Sequence, residues 1–334
     1  MWTRRHLLEG AIAAGGLLLA RGARATPLTT TTGALFGRTG PRARTVALVV
    51  PPRHTQVGDV FKVRRTIPGE GFDQVDPFLM LDHFDFTLAP GELGGLAPHP
   101  HRGFETVTVL IDGAIEHGDS LGNRGRIGAG DIQWMTAGNG IVHEENPADD
   151  LRARGGRVLG VQLWVNLPSA QKKVAPKYQD TTHDRIPVHE EARVRARVFA
   201  GEAHGVRAVI RTHTPMALVD YALQPGAATV VAYPEGWTAF VQAVDGTVTV
   251  GDTAVGVGHL ALTRRDGNTI VLKNDSSRPA RALLGGGLPI GEPFASRGPF
   301  VMSTEEELSE SFELYRSGRM GRVANPTYDR VRRR

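Results

Sequence analysis

A chain of 334 residues that is 40% hydrophobic and 22% charged has the apolar material for two medium domains, which excludes a disordered or fibrous protein. It contains no cysteine, so disulfides, thiolate nucleophiles and Cys-held zinc or iron–sulfur sites are excluded, and any metal must be held by His, Asp or Glu. The formal net charge of +4 sits at the chain ends, in Arg4, Arg5, Arg21 and Arg24 against Glu9 and in the tail Arg330, Arg332, Arg333 and Arg334; no basic face is left for a nucleic-acid partner.

The first element in chain order is a leader. Arg4 and Arg5 precede an apolar run from Leu7 to Ala20, and Ala23-Arg24-Ala25 places small residues at −3 and −1 of a cleavage site. This is a signal-peptide pattern, and Thr3-Arg4-Arg5 followed by Leu7-Leu8 resembles a twin-arginine leader. The run is too short and too rich in Gly and Ala to span ~30 Å of hydrocarbon. The expectation is therefore a periplasmic or otherwise exported protein that begins near Thr26 and is not inserted in the membrane. Residues 26–45, rich in Thr, Gly and Arg, read as a linker.

Short apolar runs bounded by turn residues follow: Phe104–Ile111, Asp131–Met135, Val158–Val165, Leu218–Leu223, Ala239–Val244, Thr247–Val250, Ile270–Leu272 and Ala282–Leu284. Several end in turn signals such as Asp112-Gly113 and Asp245-Gly246, which predicts an all-β sandwich or barrel. The two halves look like distant copies. FETVTVLIDG (Phe104–Gly113) lies over WTAFVQAVDG (Trp237–Gly246), and Gly128–Ile132 over Gly256–Leu260, in the same order. The expected domains are 46–180 and 181–300. Residues 301–334 form a helix and basic tail: Thr304 and Glu305–Glu307 make a capping pattern, Leu308, Phe312 and Tyr315 recur at helical spacing, and Gly318 ends the run.

The chemistry concentrates in His99-Pro100-His101 and His143-Glu144-Glu145. Residues two apart on a strand point the same way. His99 and His101 can aim two imidazoles at one point, while His143 and Glu145 do so from a second strand and Glu144 points away. Three imidazoles and a carboxylate suit a divalent Fe, Ni, Cu or Zn ion with positions left open. Glu105, four residues after His101, has the same strand parity, so spacing alone leaves Glu105 and Glu145 as rival carboxylate ligands. Trp134, Met135 and Trp164 either pack in the core, the commoner fate of aromatics in strands, or join Phe104 as a wall for a flat substrate. Gly138-Asn139-Gly140 reads as a turn that positions the third ligand strand.

DPFLMLDHF (Asp76–Phe84), HPHRGFETV (His99–Val107), GDIQWMTAGNGIVHEENP (Gly130–Pro147), QLWVNLP (Gln162–Pro168) and GPFVM (Gly298–Met302) together closely resemble the pirin family. The resemblance implies a bicupin, two antiparallel β-barrels, with one divalent ion in the N-terminal barrel only. Carried over by position, its ligands are His99, His101, His143 and Glu145, which leaves Glu105 as a neighbour. It further implies Fe2+ as the ion, with Ni, Cu, Mn or Zn as substitutes, and cleavage of a flavonol such as quercetin with O2, Glu145 doubling as the base; a monomer is expected. The rival reading is a non-catalytic metal or redox sensor that binds a macromolecular partner; an exported protein fits a transcription-factor partner poorly. Aligning the halves puts Ala232, Pro234, Val271 and Lys273 at the four ligand positions, so the second barrel is expected to lack the cage.

Overall fold

The computed structural model describes residues 40–332; the expected leader and most of the linker lie outside the described residues. The first half supplies β1 (Val46–Val50), β2 (Arg53–Val57), β3 (Phe61–Ile67), β4 (Phe78–Leu88), β5 (Leu96–His101) and β6 (Phe104–Asp112). It continues with β7 (Ala114–Asp119), β8 (Arg124–Gly128), β9 (Ile132–Thr136), β10 (Ile141–Pro147), the helix α1 (Asp149–Arg154), β11 (Gly156–Asn166) and β12 (Lys177–Thr181). The second half begins with β13 (Val188–Glu191), β14 (Val194–Ala200), β15 (Glu202–Ala203), β16 (Val206–Arg207), β17 (Met216–Leu223) and β18 (Ala228–Ala232). β19 (Thr238–Asp245), β20 (Val248–Val250), β21 (Thr253–Val255), β22 (Leu260–Thr263), β23 (Thr269–Lys273) and β24 (Ala280–Gly287) complete it. A last hairpin, β25 (Ala295–Arg297) and β26 (Phe300–Met302), leads into α2 (Glu305–Arg316) and α3 (Thr327–Arg332).

These strands build two cupin barrels of one plan. The first pairs a seven-stranded sheet, β12-β9-β6-β11-β4-β3-β2, with a four-stranded sheet, β5-β10-β7-β8. The second pairs β1-β22-β19-β24-β17-β14-β13 with β18-β23-β20-β21, so each strand has a counterpart at the same place in the other barrel. One strand departs from a domain contiguous over 46–180: β1 hydrogen-bonds along β22, with Val50 opposite Leu260, and so completes the second barrel.

Period-two alternation explains the three cores. Along β17, Ala217, Val219, Tyr221 and Leu223 face the interior of the second barrel. Met216 and Leu218 face an inter-barrel core shared with Phe78, Trp134 and Val161 of the first half. There Phe78 meets Phe240 edge-to-face at 5.0 Å. Each fully buried ring of this kind stabilises by about 1.5–3 kcal/mol, so the two barrels are held together by an apolar core. The first barrel encloses its own cluster, including Phe61, Phe84, Leu110 and Ile115.

The C-terminal segment returns to the first barrel. Val301 N–H donates to the Arg102 carbonyl at 3.0 Å. The buried Arg102 guanidinium reaches Ser311 at 3.0 Å and Asn139 at 3.1 Å. Lys172 Nζ, also buried, donates to the Gly103 and Val301 carbonyls at 2.9 and 3.2 Å. Gly103 has φ +87°, and a Cβ there would strike the Val301 carbonyl, so the chain beside the His-Pro-His strand can approach this closely only as glycine. α2 starts as its sequence predicts, with Thr304 Oγ1 accepting from Glu307 N–H at 3.2 Å. Leu308 is buried against Phe300 and Met320, whereas Tyr315 is exposed. The basic tail contains a second short helix, α3, that the sequence does not announce. No helix among the described residues is long and apolar enough to cross a membrane.

Candidate metal centre

β10 lies between β5 and β7, and its register places His143 directly opposite His99 and Ile141 opposite His101. Cross-strand partners point to the same face. The His-Pro-His and His-Glu-Glu segments therefore meet inside the first barrel, as the spacing predicts. The ring centroids of His99, His101 and His143 lie 4.4 to 4.9 Å apart. One ligating nitrogen from each falls within 4.8 Å of the other two. His101 and His143 are buried and His99 is half-buried.

The protonation states suit ligation. Burial pulls all three imidazoles below the ordinary histidine range, His101 and His143 strongly so, with mutual repulsion adding to the effect on those two. Neutral rings are the ligating form. His99 Nδ1 lies 2.8 Å from the Ala97 carbonyl, and His101 Nδ1 3.4 Å from that of Pro299. Each contact assigns the proton to Nδ1 and leaves Nε2 as the free donor. Both nitrogens of His143 are buried without a hydrogen-bond partner among the described residues. Such orphaned groups are costly, and a metal ion relieves the cost. The donor set fits a divalent transition ion.

The carboxylates behave differently. Glu145 is buried, but its oxygens do not belong to the close set formed by the three imidazoles. Oε1 accepts from Thr108 Oγ1 at 3.1 Å and Oε2 from Gln162 Nε2 at 2.8 Å. Glu105 also stands apart: Oε1 accepts from Thr136 at 2.7 Å, and burial pushes its carboxyl up to about 7. Glu144 points away as strand parity requires, and accepts from the backbone N–H groups of Thr327 and Tyr328 at the start of α3, at 2.7 and 3.0 Å.

His99 and His101 border a cavity of ≈ 840 Å³, lined also by Gln162, Trp164, Phe294 and Pro299 among others. That volume lies within the range of small-molecule sites. Trp164 packs 5.2 Å from His101 and 4.4 Å from Phe104. Trp164 is thus wall, Phe104 is buried behind it, and Trp134 belongs to the inter-barrel core. Sequence reasoning missed Phe294 and Pro299, which arrive from the far end of the chain, and also His117. The His117 ring lies 5.3 Å from that of His143, and its Nδ1 accepts from Gln133 at 2.7 Å.

The second barrel has no such cage where the strands correspond. On its matching pair, β18 and β23, the inward residues are Thr229 and Val231 opposite Leu272 and Ile270. The alignment of halves that names Ala232 and Val271 is one residue out, because those two lie on the outer, less buried face, and Pro234 falls beyond β18. A one-residue slip exchanges the faces of a strand. Three of the true inward set, Val231, Ile270 and Leu272, are core residues of the second barrel.

The Pirin family model matches residues 60–165, and the model of the Pirin C-terminal cupin domain matches residues 218–321. A Pirin-like protein of Solanum lycopersicum is 40% identical over 282 residues, covering 84% of this chain and 94% of that protein. Pirin of Rattus norvegicus is 38% identical over 283 residues with the same coverage. Among solved structures, a quercetin 2,3-dioxygenase from Acinetobacter baumannii superposes with TM-score 0.80 at 34% identity, covering 85% of this chain and all of that one. A nickel(II)-bound bacterial pirin from Escherichia coli shares the fold, with TM-score 0.57 and 22% identity over 72% of this chain and 98% of that one. Both halves match in order, and His99 and His101 of β5 meet His143 of β10 in one cage; the chain belongs to the pirin family.

Proposed function

We propose that the first barrel is the active site of a dioxygenase that opens a flavonol ring, with quercetin as a representative substrate and Fe2+ as the resident ion. The observation that carries this reading is the convergence of three imidazoles, two of which, His99 and His101, open onto an ≈ 840 Å³ cavity walled by Trp164 and Phe294. The likeness to a protein named quercetin 2,3-dioxygenase supports the choice of substrate class. His99, His101 and His143 hold the ion, and Glu145 is the fourth ligand. A divalent ion so held supplies Lewis acidity toward the flavonol hydroxyl and open positions for O2.

The chain's own groups do the rest. Trp164 and Phe294 flank a flat aromatic substrate and exclude water from one face. The Glu145 carboxylate accepts the hydroxyl proton, and the Gln162 and Thr108 donors hold that carboxylate in place. The net reaction takes up one O2 per flavonol and releases one CO. The test is O2 uptake matched by CO release when iron-loaded protein meets a panel of flavonols. Matched stoichiometry with any of them supports the reading; no uptake with all of them overturns it in favour of a non-catalytic metal protein.

We also propose that residues 1–25 direct export by the twin-arginine route, which carries folded protein and lets the metal be loaded beforehand. Arg4→Lys together with Arg5→Lys should leave the precursor in the cytoplasm. A wild-type protein found there with its N-terminus intact would contradict the proposal.

A further inference from the structure

The second barrel carries a separate cluster of donors on its other sheet. β13 pairs with β14 so that His189 stands opposite Ala196 and Glu191 opposite Val194, and Ala196 in turn stands opposite Tyr221. Val194, Ala196 and Tyr221 face the barrel interior. His189 and Glu191 share that face at the outer end of the sheet. A third donor comes from the two-residue turn joining β15 to β16, His204-Gly205. Both turn residues have positive φ, +52° for His204 and +73° for Gly205. Positive φ at both positions is what a two-residue hairpin turn of this kind requires, and it carries the His204 side chain back toward β13.

That side chain is fixed on both sides. The His204 ring stacks on His189 with centroids 4.4 Å apart and planes 8° from parallel. Its Nε2 lies 3.0 Å from the Tyr221 hydroxyl, inside the barrel. His189 Nε2 lies 2.9 Å from Glu191 Oε1. One ligand atom from each of His189, Glu191 and His204 falls within 4.8 Å of the other two. Both histidines are half-buried and Glu191 is exposed, so an ion from solution can reach the donors.

We propose that His189, Glu191 and His204 form a second divalent-metal site, of the kind Zn2+ fills, at the edge strand of the second barrel's seven-stranded sheet. Two imidazoles and one carboxylate are a donor set for borderline divalent ions, with water completing the shell. Face-to-face stacking disfavours two charged rings. In keeping with this, burial first and then the neighbouring His189 lower His204 below the ordinary histidine range. The matching place in the first barrel is filled differently, by Thr55 on β2 opposite Val63 and by Phe84 beside it. The second site is therefore no remnant of the first cage: two of its donors stand on the seven-stranded sheet and the third on the β15-β16 hairpin, whereas the cage stands on the four-stranded sheet.

Equilibrium dialysis of the full chain against Zn2+ alone tests the site. Wild type whose first site already holds its resident metal should take up one further Zn2+ per chain. His101→Ala with His143→Ala should still bind one. Adding His204→Ala to either background should weaken that binding at least ~10-fold, and the exposed Glu191→Gln, which cannot disturb the core, should weaken it ~10-fold. If metal-loaded wild type binds no further Zn2+, or if it binds but His204→Ala and Glu191→Gln leave the affinity unchanged, the proposal is wrong.

Discussion

The two barrels share one strand order yet spend their interiors on different chemistry. On β5 and β10 the inward positions are His99, His101 and His143, while on β18 and β23 they are Thr229, Val231, Ile270 and Leu272. The backbone frame is the same, so the frame does not make a metal site. What makes it is the set of residues on one face of two neighbouring strands, together with the groups that fix their tautomers. In the first barrel one of those groups, the Pro299 carbonyl, is supplied by the C-terminal segment, which docks there through Arg102 and Lys172. Burying uncompensated imidazoles costs folding energy, so their retention on β5 and β10 and replacement by a mainly apolar core on β18 and β23 is a division of labour.

The comparison breaks most visibly at the cage. His101→Ala or His143→Ala should weaken metal binding by more than ~100-fold, beyond what loss of a supporting group costs, and should abolish turnover. Dialysis against a chelator series would measure the first effect and O2 uptake the second. The reverse experiment places imidazoles on β18 and β23, the matching strands of the second barrel, in a His204→Ala background. Val231→His with Leu272→His should gain no tight metal and should destabilise by about 1–3 kcal/mol for each buried unpartnered ring, seen as a lower urea midpoint. Tight metal binding by that variant would mean that strand position alone suffices.

Smaller changes sharpen the account. Gln162→Leu removes a donor to Glu145 and should lower metal affinity ~10-fold while leaving the three imidazoles in place. Glu105→Gln should keep the metal but change the pH profile of stability. Burial raises the Glu105 carboxyl from 4.5 to about 7, so between those values the folded state binds more protons than the unfolded. Its contribution is full below pH 4.5 and declines as pH rises to about 7. Urea titrations across that window should show a flatter profile in Glu105→Gln than in wild type.

Much of this was legible in the sequence. The parity of His99 and His101, and of His143 and Glu145, gave the inward face, and β6, β9, β11, β17 and β19 contain the predicted apolar runs. Family resemblance, not spacing, chose Glu145 over Glu105. What stayed hidden depends on long-range closure. Pro299 and Phe294 reach the cavity from nearly 200 residues beyond His101. β1 joins the second barrel although it precedes the first. The alignment of halves slipped by one residue because a short apolar strand reads alike in either register. His189, Glu191 and His204 share no recognisable spacing; only the His204-Gly205 turn brings the third donor back.

The central claim is that tight metal binding belongs to the first barrel's histidine cage. Metal content per chain should be compared for wild type, His143→Ala and His204→Ala, each purified without added metal and dialysed exhaustively. The account predicts about one ion in wild type and in His204→Ala and roughly none in His143→Ala, because loss of one of three converging imidazoles leaves a poor site. Equal content in wild type and His143→Ala would contradict it.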